Sequence, residues 1–465
     1  MVRFAPLVVA SSLTSCACAN LIEDAAKLPL SSEHLQNDIK LPALQKHAKA
    51  LQGFADKSNG TRVFGSTGYN ASVETSSDYV AEIVKQAGYD VELQTFPYEY
   101  NEVLVQKFVA ESLVNISGMA VRKSRSYWCC WCVSLVYNNV EGALPGTLGA
   151  PNATAYIPIG GIDRTAGESL AQKLLAGLSI NATLEILTFS EERYSSNVIA
   201  TSKGGNQSNI VFIGSHLDSV NAGPGINDNG SGSITVLELA VQLAKYKLNN
   251  AVRFAWWTAE EFGLVGSSYY IENLPKSERE KIALYINLDM VASPNYVLAV
   301  YDGDGSAGTN PGPTPAGSGA IEKVFTDYFA SKNLSSVPTS FNGRSDYAPF
   351  IAAGVNIPSG GLFTGAEGIK TEEQARLFGG TAGVAYDVNY HAKGDTYDNL
   401  NFEAFLINAK ASAHAMATFI ESTAAVEAEK AAARASSKVA AKIITAPNDS
   451  LVVQGKDLCG VGEPA

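Results

Sequence analysis

The sequence predicts an α/β fold, with a mixed, mostly parallel central sheet flanked by helices and a smaller β-rich module inserted. Three observations carry this. After Asn197, apolar runs alternate with helical apolar spacing, the pattern of a sheet covered by helices on both faces. Those runs end on or near ionisable residues: His216, Glu260 with Glu261, and Asp289. Between about Gln106 and Tyr194 the texture changes to short strands and many turns.

The elements follow in order. From Leu35 to Gln86, helical spacing alternates with turn signals such as "KSNGTR" and "GSTGYN", and "YDVELQTF" (Tyr89 to Phe96) reads as a strand. "NIVFIGSHLD" (Asn209 to Asp218) is a buried strand running into a polar loop. "SGSITVLELAVQLAKY" (Ser231 to Tyr246) places Ile234, Leu237, Val241 and Ala244 on one helical face. "AVRFAWWTAEE" and "KIALYINLDM" are further apolar strands. Open sheets of this kind bind ligands beyond the carboxyl ends of their strands, where the ionisable residues fall. "YDGDGSAGTNPGPTPAGSG" (Tyr301 to Gly319) reads as a surface loop, since its aspartates lack the EF-hand spacing. The Ala-rich stretch after Ser422 suggests a peripheral helix or a frayed extension.

At 465 residues the chain is long for one core, so two domains are expected. Hydrophobic residues make up 46% and charged ones 17%, which describes a packed globular protein. The net charge of −12 argues against nucleic acid or anionic membranes as partners. The amino terminus, "MVRFAPLVVASSLTSCACAN", has Arg3, a short apolar run and a small-x-small Ala17-Cys18-Ala19 site. It reads as a cleaved secretory signal over residues 1–19, with room for a propeptide at 20–34. Nothing downstream reaches about 18 consecutive apolar residues, so no membrane contact is expected after cleavage.

Nine Asn-x-Ser/Thr sequons fit passage through the secretory pathway, to the extracellular space or a vacuolar lumen. Eight are expected glycosylation sites: Asn59, Asn70, Asn115, Asn152, Asn181, Asn206, Asn333 and Asn448. The ninth, Asn229, borders a glycine-rich loop with other work to do and is left out. Signal cleavage leaves Cys129, Cys130, Cys132 and Cys459, too few for a disulfide scaffold.

The chemistry concentrates in two stretches. In "GSHLDSV", His216 supplies an imidazole and Asp218, two residues on, could orient that ring. In "GPGINDNGSGS", Gly223, Gly225, Gly230 and Gly232 let the backbone turn tightly and bring Asp228 close to an ion. A lone histidine in such a loop is more often structural. "TAEEFGLVGS" changes the balance: Glu260 and Glu261 stand side by side at the end of an apolar strand. Two buried like charges are costly unless something positive pairs with them. A metal ion does so, one carboxylate coordinating it while its neighbour acts as general base on the bound water.

Taken in order, "GSHLDSV", "GINDNGSG", "TAEEFGLVGS", "INLDM" and "NYHAKGDTYDNL" resemble the co-catalytic two-zinc aminopeptidases. The similarity is to the fungal aminopeptidase Y type and its bacterial leucine aminopeptidase relatives, from about Leu35 to Ile420. The resemblance implies two Zn²⁺ per chain, one held by His216 and Asp289, the other by Glu261 and His391, with Asp228 bridging. It implies Glu260 as general base; Asp218, placed to orient the His216 ring, is counted with it among the catalytic residues. Tyr390 would support the tetrahedral intermediate, and Arg344 in "NGRSDYAPF" resembles a substrate-contacting arginine. Four positive charges from two zincs are balanced by three carboxylates and a bridging hydroxide, so the cluster is neutral when buried. A pocket ringed by carboxylates suits peptides with a free, cationic N-terminus. A monomer is expected.

By the same resemblance the catalytic domain covers 35–105 and 195–422, followed by the Ala-rich tail, 423–465. "LVYNNVEGALPGTLG" through "IPIGGIDRTAGESLAQKLLAG" resembles the second half of a protease-associated domain, placed at 106–194 and shortened. Its first half departs from the pattern at "MAVRKSRSYWCCWCVS", either a genuine variant or a misread exon edge. Cys129 and Cys132 stand at Cys-x-x-Cys spacing, but no second pair follows to complete a structural zinc site. A carboxypeptidase of the same superfamily ranks lower, because Arg344 is the sole obvious basic residue for a substrate carboxylate. A non-enzymatic receptor-like ectodomain would be expected to lose ligands, and here every one is present.

Overall fold

The computed structural model describes residues 27–69, 75–113, 134–137, 159–162 and 164–445. Its main sheet has eight strands: β1 (Asp90–Leu113), β2 (Ser179–Thr201), β3 (Asn206–His216), β4 (Asn250–Trp257), β5 (Ile282–Leu288), β6 (Ala299–Tyr301), β7 (Val337–Thr339) and β8 (Ser359–Phe363). The spatial order is β7-β6-β8-β5-β3-β4-β2-β1. Strands β8, β5, β3 and β4 form a parallel centre, and β6 pairs parallel with β7. The β6–β8, β4–β2 and β2–β1 pairings are antiparallel. This is the mixed, mostly parallel sheet that the alternating pattern predicts.

The central strands are continuous apolar runs because both their faces are covered. Val211, Ile213, Phe254, Trp256, Leu284 and Ile286 belong to one core, shared with the helices Gly232–Leu243 and Phe402–Glu421. Their strand neighbours Phe212, Ala255, Trp257 and Tyr285 belong to the other, closed by Tyr270 and Phe350. Tyr285 and Phe350 stack with ring centroids 3.7 Å apart.

The helix Gly232–Leu243 departs from its expected single apolar face. Every residue from Gly232 to Ala240 is buried, whereas Val241 and Ala244 are only partly so. The reason is packing from two sides: the sheet lies on one, and the helices Leu41–Asp56 and Ser76–Gln86 on the other.

The strand expected over 89–96 continues to Leu113, paired with β2 from Asp90↔Thr201 to Leu113↔Ser179 with a register shift between Val103 and Val105. The expected boundaries at 105 and 195 therefore fall inside continuous strands, and the inserted region grows from the sheet's own ladder. Within it lie a parallel pair, Ser134–Tyr137 with Ile159–Ile162, and the helix Arg164–Leu175. The "SYWCCWC" stretch, Cys459 and the sequons at Asn70, Asn115, Asn152 and Asn448 lie outside the described residues, as does the signal expected over 1–19.

Residues 28–34, part of the 20–34 stretch with room for a propeptide, take part in the packed domain. Leu28 and Pro29 pair with Tyr246 and Lys247, Ser32 lies 2.7 Å from the His414 ring, and the following Leu35 is fully buried. The tail forms a helix, Ala424–Thr445. It is anchored where Val426 is buried and Glu429 accepts the backbone N–H groups of Gly317 and Ala320, both at 2.8 Å. Among the described residues, no helix is long and apolar enough to cross a membrane.

Candidate metal centre

Parallel strands that end side by side bring their following residues together. His216 closes β3, Glu260 and Glu261 follow β4 after a two-residue turn, and Asp289 follows β5 directly. Asp228 comes from the turn Ile226–Ser231, which needs Gly225 at φ 61°; a Cβ there would run into the Asp228 carbonyl. His391 comes from a later loop. Non-glycine residues adopt left-handed backbone at Ala259, Met290 and His391, in or beside three of the segments that supply these side chains. Such conformations cost of order 1–3 kcal/mol each and persist where the surroundings enforce them.

Asp228 lies between the two histidines. Its Oδ1 is 3.4 Å from His216 Nε2, and its Oδ2 is 3.2 Å from His391 Nε2. His216 Nε2 also faces Asp289 Oδ1 at 3.5 Å and Glu260 Oε2 at 3.8 Å. His391 Nε2 lies 2.9 Å from Glu261 Oε2. The structure thus gathers His216, Asp228, Glu260, Glu261, Asp289 and His391 at one site. Asp218 sits under it: its Oδ1 accepts the Glu260 N–H at 3.1 Å. The His216 ring Nδ1 is nearer to the Asp218 carbonyl oxygen, 3.3 Å, than to its carboxylate, 3.7 Å.

Several supporting residues are absent from the sequence-based set. Ser345 donates to Asp289 Oδ2 at 2.5 Å and accepts from Asn287 at 2.8 Å. Asp395 accepts the backbone N–H groups of Asn227 and Asp228. Arg62, fully buried, donates through its guanidinium to the carbonyls of Leu217, Pro224 and Gly225. Ser345 and Asp395 stand within or beside stretches already singled out, at one residue from Arg344 and four from His391. Arg62 carried no signal, because it lies some 155 residues before the loops it holds.

The electrostatics call for cations. Burial pushes the Glu261 carboxyl up to about 7, with Asp228 adding to the effect, and raises Glu260 well above the usual range. Burial likewise lifts Asp346, behind the site, to about 7. Burial alone would lower the imidazoles, but the surrounding carboxylates outweigh it, raising His216 well above its ordinary value and His391 to about 11. Asp289 Oδ1, Glu261 Oε1 and Asp218 Oδ2 are buried without a hydrogen-bond partner. Unpartnered carboxylate oxygens beside imidazole nitrogens are the donor set of a zinc site. The residues fit such a group.

The centre opens into a cavity of about 200 Å³, also lined by Met290, Phe363, Tyr386 and Tyr390. Tyr390 stacks on His391 with centroids 3.9 Å apart. Arg344, at the exposed rim, donates to Tyr390 Oη at 3.1 Å and to Glu367 Oε1 at 2.7 Å. Elsewhere, the described sequon asparagines Asn59, Asn181, Asn206 and Asn333 are exposed, whereas Asn229 is fully buried. Asp302, Asp304 and Glu322 come within ligand distance of one another, but Asp302 is already bonded by the Ala307 N–H and the Asn310 amide.

Residues 197–416 match peptidase family M28. The chain is 41% identical over 440 residues to the probable leucine aminopeptidase 2 of Arthroderma benhamiae, covering 84% of this chain and 87% of that protein. It is 57% identical over 291 residues to the probable leucine aminopeptidase 2 of Aspergillus fumigatus, covering 62% of this chain and 57% of that protein. Among solved structures, an aminopeptidase from an Aneurinibacillus species matches with a TM-score of 0.62 at 25% identity, over 83% of this chain and 95% of that one. A zinc aminopeptidase from Bacillus subtilis shares the fold, with a TM-score of 0.53 at 20% identity over 81% and 95% of the two chains.

Proposed function

The chain is a metalloaminopeptidase of peptidase family M28, and from that premise we propose that it works through two zinc ions and a glutamate general base. The observation that carries this is the position of Asp228, one oxygen towards His216 and the other towards His391. His216 and Asp289 would hold one zinc, Glu261 and His391 the other, and Asp228 both. When bound, zinc supplies Lewis acidity towards a carbonyl and lowers the pKa of water towards about 7.

The chain's own groups do the rest. Glu260 is held by its backbone N–H on Asp218 and takes the proton of the attacking water, then delivers it to the leaving amine. Burial and the neighbouring Asp228 and Glu261 raise the Tyr390 phenol far above its ordinary value, so it stays protonated and donates to the developing oxyanion. A substrate's cationic α-amine meets a carboxylate-lined cavity, whereas an internal peptide bond brings no such charge. The carboxypeptidase reading needs a cation free for a substrate carboxylate. Arg344, the cationic side chain at the rim, is engaged by Glu367.

In this reading the substrates are peptides with a free N-terminus, and the enzyme acts as a monomer outside the cell or in a vacuole. The signal and the exposed sequons support that location. The region between 106 and 194 acts as a protease-associated module. The test is hydrolysis of aminoacyl-arylamides with and without chelator, against N-acetylated controls. Chelator-sensitive cleavage of the free-amine substrates is expected; equal cleavage of blocked peptides would refute the reading.

A further inference from the structure

We infer that Glu367 is a positioning residue for the reaction, acting through Arg344 to fix the direction in which Tyr390 presents its hydroxyl hydrogen. The inference rests on the proposed role of Tyr390 as oxyanion donor and adds a residue that the sequence did not single out.

The geometry is a chain of three groups at the cavity rim. Glu367 Oε1 accepts from Arg344 Nη1 at 2.7 Å, and Oε2 lies 3.4 Å from Nη2. The two-point contact fixes the plane of the guanidinium, which presents donors only. The same Nη2 donates to Tyr390 Oη at 3.1 Å. A phenol has one hydrogen, held near the ring plane by conjugation, so it has two directions to choose from. Where Arg344 donates, the Tyr390 oxygen must accept, and its own hydrogen takes the other direction, away from the guanidinium. Stacking on His391 fixes the ring itself. Tyr390 is thus offered to a substrate oxygen as a donor with its acceptor side already used.

Without Glu367, Arg344 is a long side chain at an exposed rim, with its anionic anchor gone. The phenol could then turn its hydrogen either way, and part of the enzyme would meet substrate with a lone pair instead of a donor. The ion pair itself is more than a third exposed on both sides, so its removal should leave folding nearly unchanged. The effect belongs in kcat.

A double-mutant cycle tests this on the zinc-loaded full chain with an aminoacyl-arylamide. Tyr390→Phe should lower kcat about 100-fold. Glu367→Ala should lower kcat about tenfold with KM within about twofold, and the isosteric Glu367→Gln should fall between it and the parent. In the Tyr390→Phe background, Glu367→Ala should change kcat by less than about twofold, because the hydroxyl it orients is gone. The same tenfold loss in that background would overturn the role. So would an effect of Glu367→Ala confined to KM, which would mark direct contact with the substrate amine. Undiminished kcat in Tyr390→Phe alone would remove the donor, and with it this role, while leaving the zinc and Glu260 readings to stand on their own tests.

Discussion

Asp395 holds the backbone of Asp228 from below: one of its carboxylate oxygens accepts the Asp228 N–H at 2.9 Å, and the other accepts the Asn227 N–H at 2.8 Å. The residue proposed to bridge the two metals is therefore set by a second carboxylate that does not face the cavity. Such supporting partners typically contribute 10- to 100-fold in metal affinity. In Asp395→Asn one acceptor becomes an amide donor that meets an N–H. Zinc affinity should fall about tenfold or more, measured by competition with graded chelator. Unchanged affinity would show that the loop holds its shape without this contact.

Glu260→Gln should retain zinc and lose most turnover, a drop of about 10²- to 10⁴-fold. Metal content and kcat are measured on the same preparation. Near-normal hydrolysis by a zinc-replete Glu260→Gln protein would end the general-base assignment.

Asp228→Ala should weaken the binding of both metals, since each histidine faces a different oxygen of this carboxylate. Zinc analysis after dialysis reads the outcome. Two ions held as tightly as in the parent would contradict the bridging role, and one lost with one kept would confine Asp228 to a single metal.

Arg62→Met should destabilise the fold by about 3 kcal/mol or more, because three buried carbonyls lose their donor at once. The midpoint of urea unfolding at matched zinc loading gives the value. Burial lowers the Arg62 guanidinium to about 10, against the raising influence of Asp218, Asp395 and Asp228. It thus remains charged at neutral pH and offsets part of the acidic cluster. A midpoint within experimental error of the parent would mean that the loops do not depend on it.

The parallel centre of the sheet was legible because apolar runs buried on both faces leave an unmistakable pattern, as in "NIVFIGSH" and "IALYINL". The cluster was legible for a related reason: His216, Glu260, Glu261 and Asp289 stand at strand ends, where burial of charge demands a purpose. Supporting contacts were harder to read. Arg62 makes its contribution by spanning from one loop to another, and nothing near it in sequence announces the partner. The helix Gly232–Leu243 misled in the same way, since the second layer covering it comes from residues 41–86. The long β1–β2 ladder exceeded its predicted strand because pairing partners supply what local composition does not.

Arg62 also bears on how the protein can be cut. A fragment trimmed to 197–416, the span of the family match, would carry every proposed metal ligand. It would lack the guanidinium that ties Leu217 to Pro224 and Gly225, and the helices Leu41–Asp56 and Ser76–Gln86 that cover Gly232–Leu243. Such a fragment would keep the parallel strands that carry the ligands but lose the contacts that brace their loops and cover that helix. Any minimal expression unit should include Leu28 and Pro29, which pair with Tyr246 and Lys247.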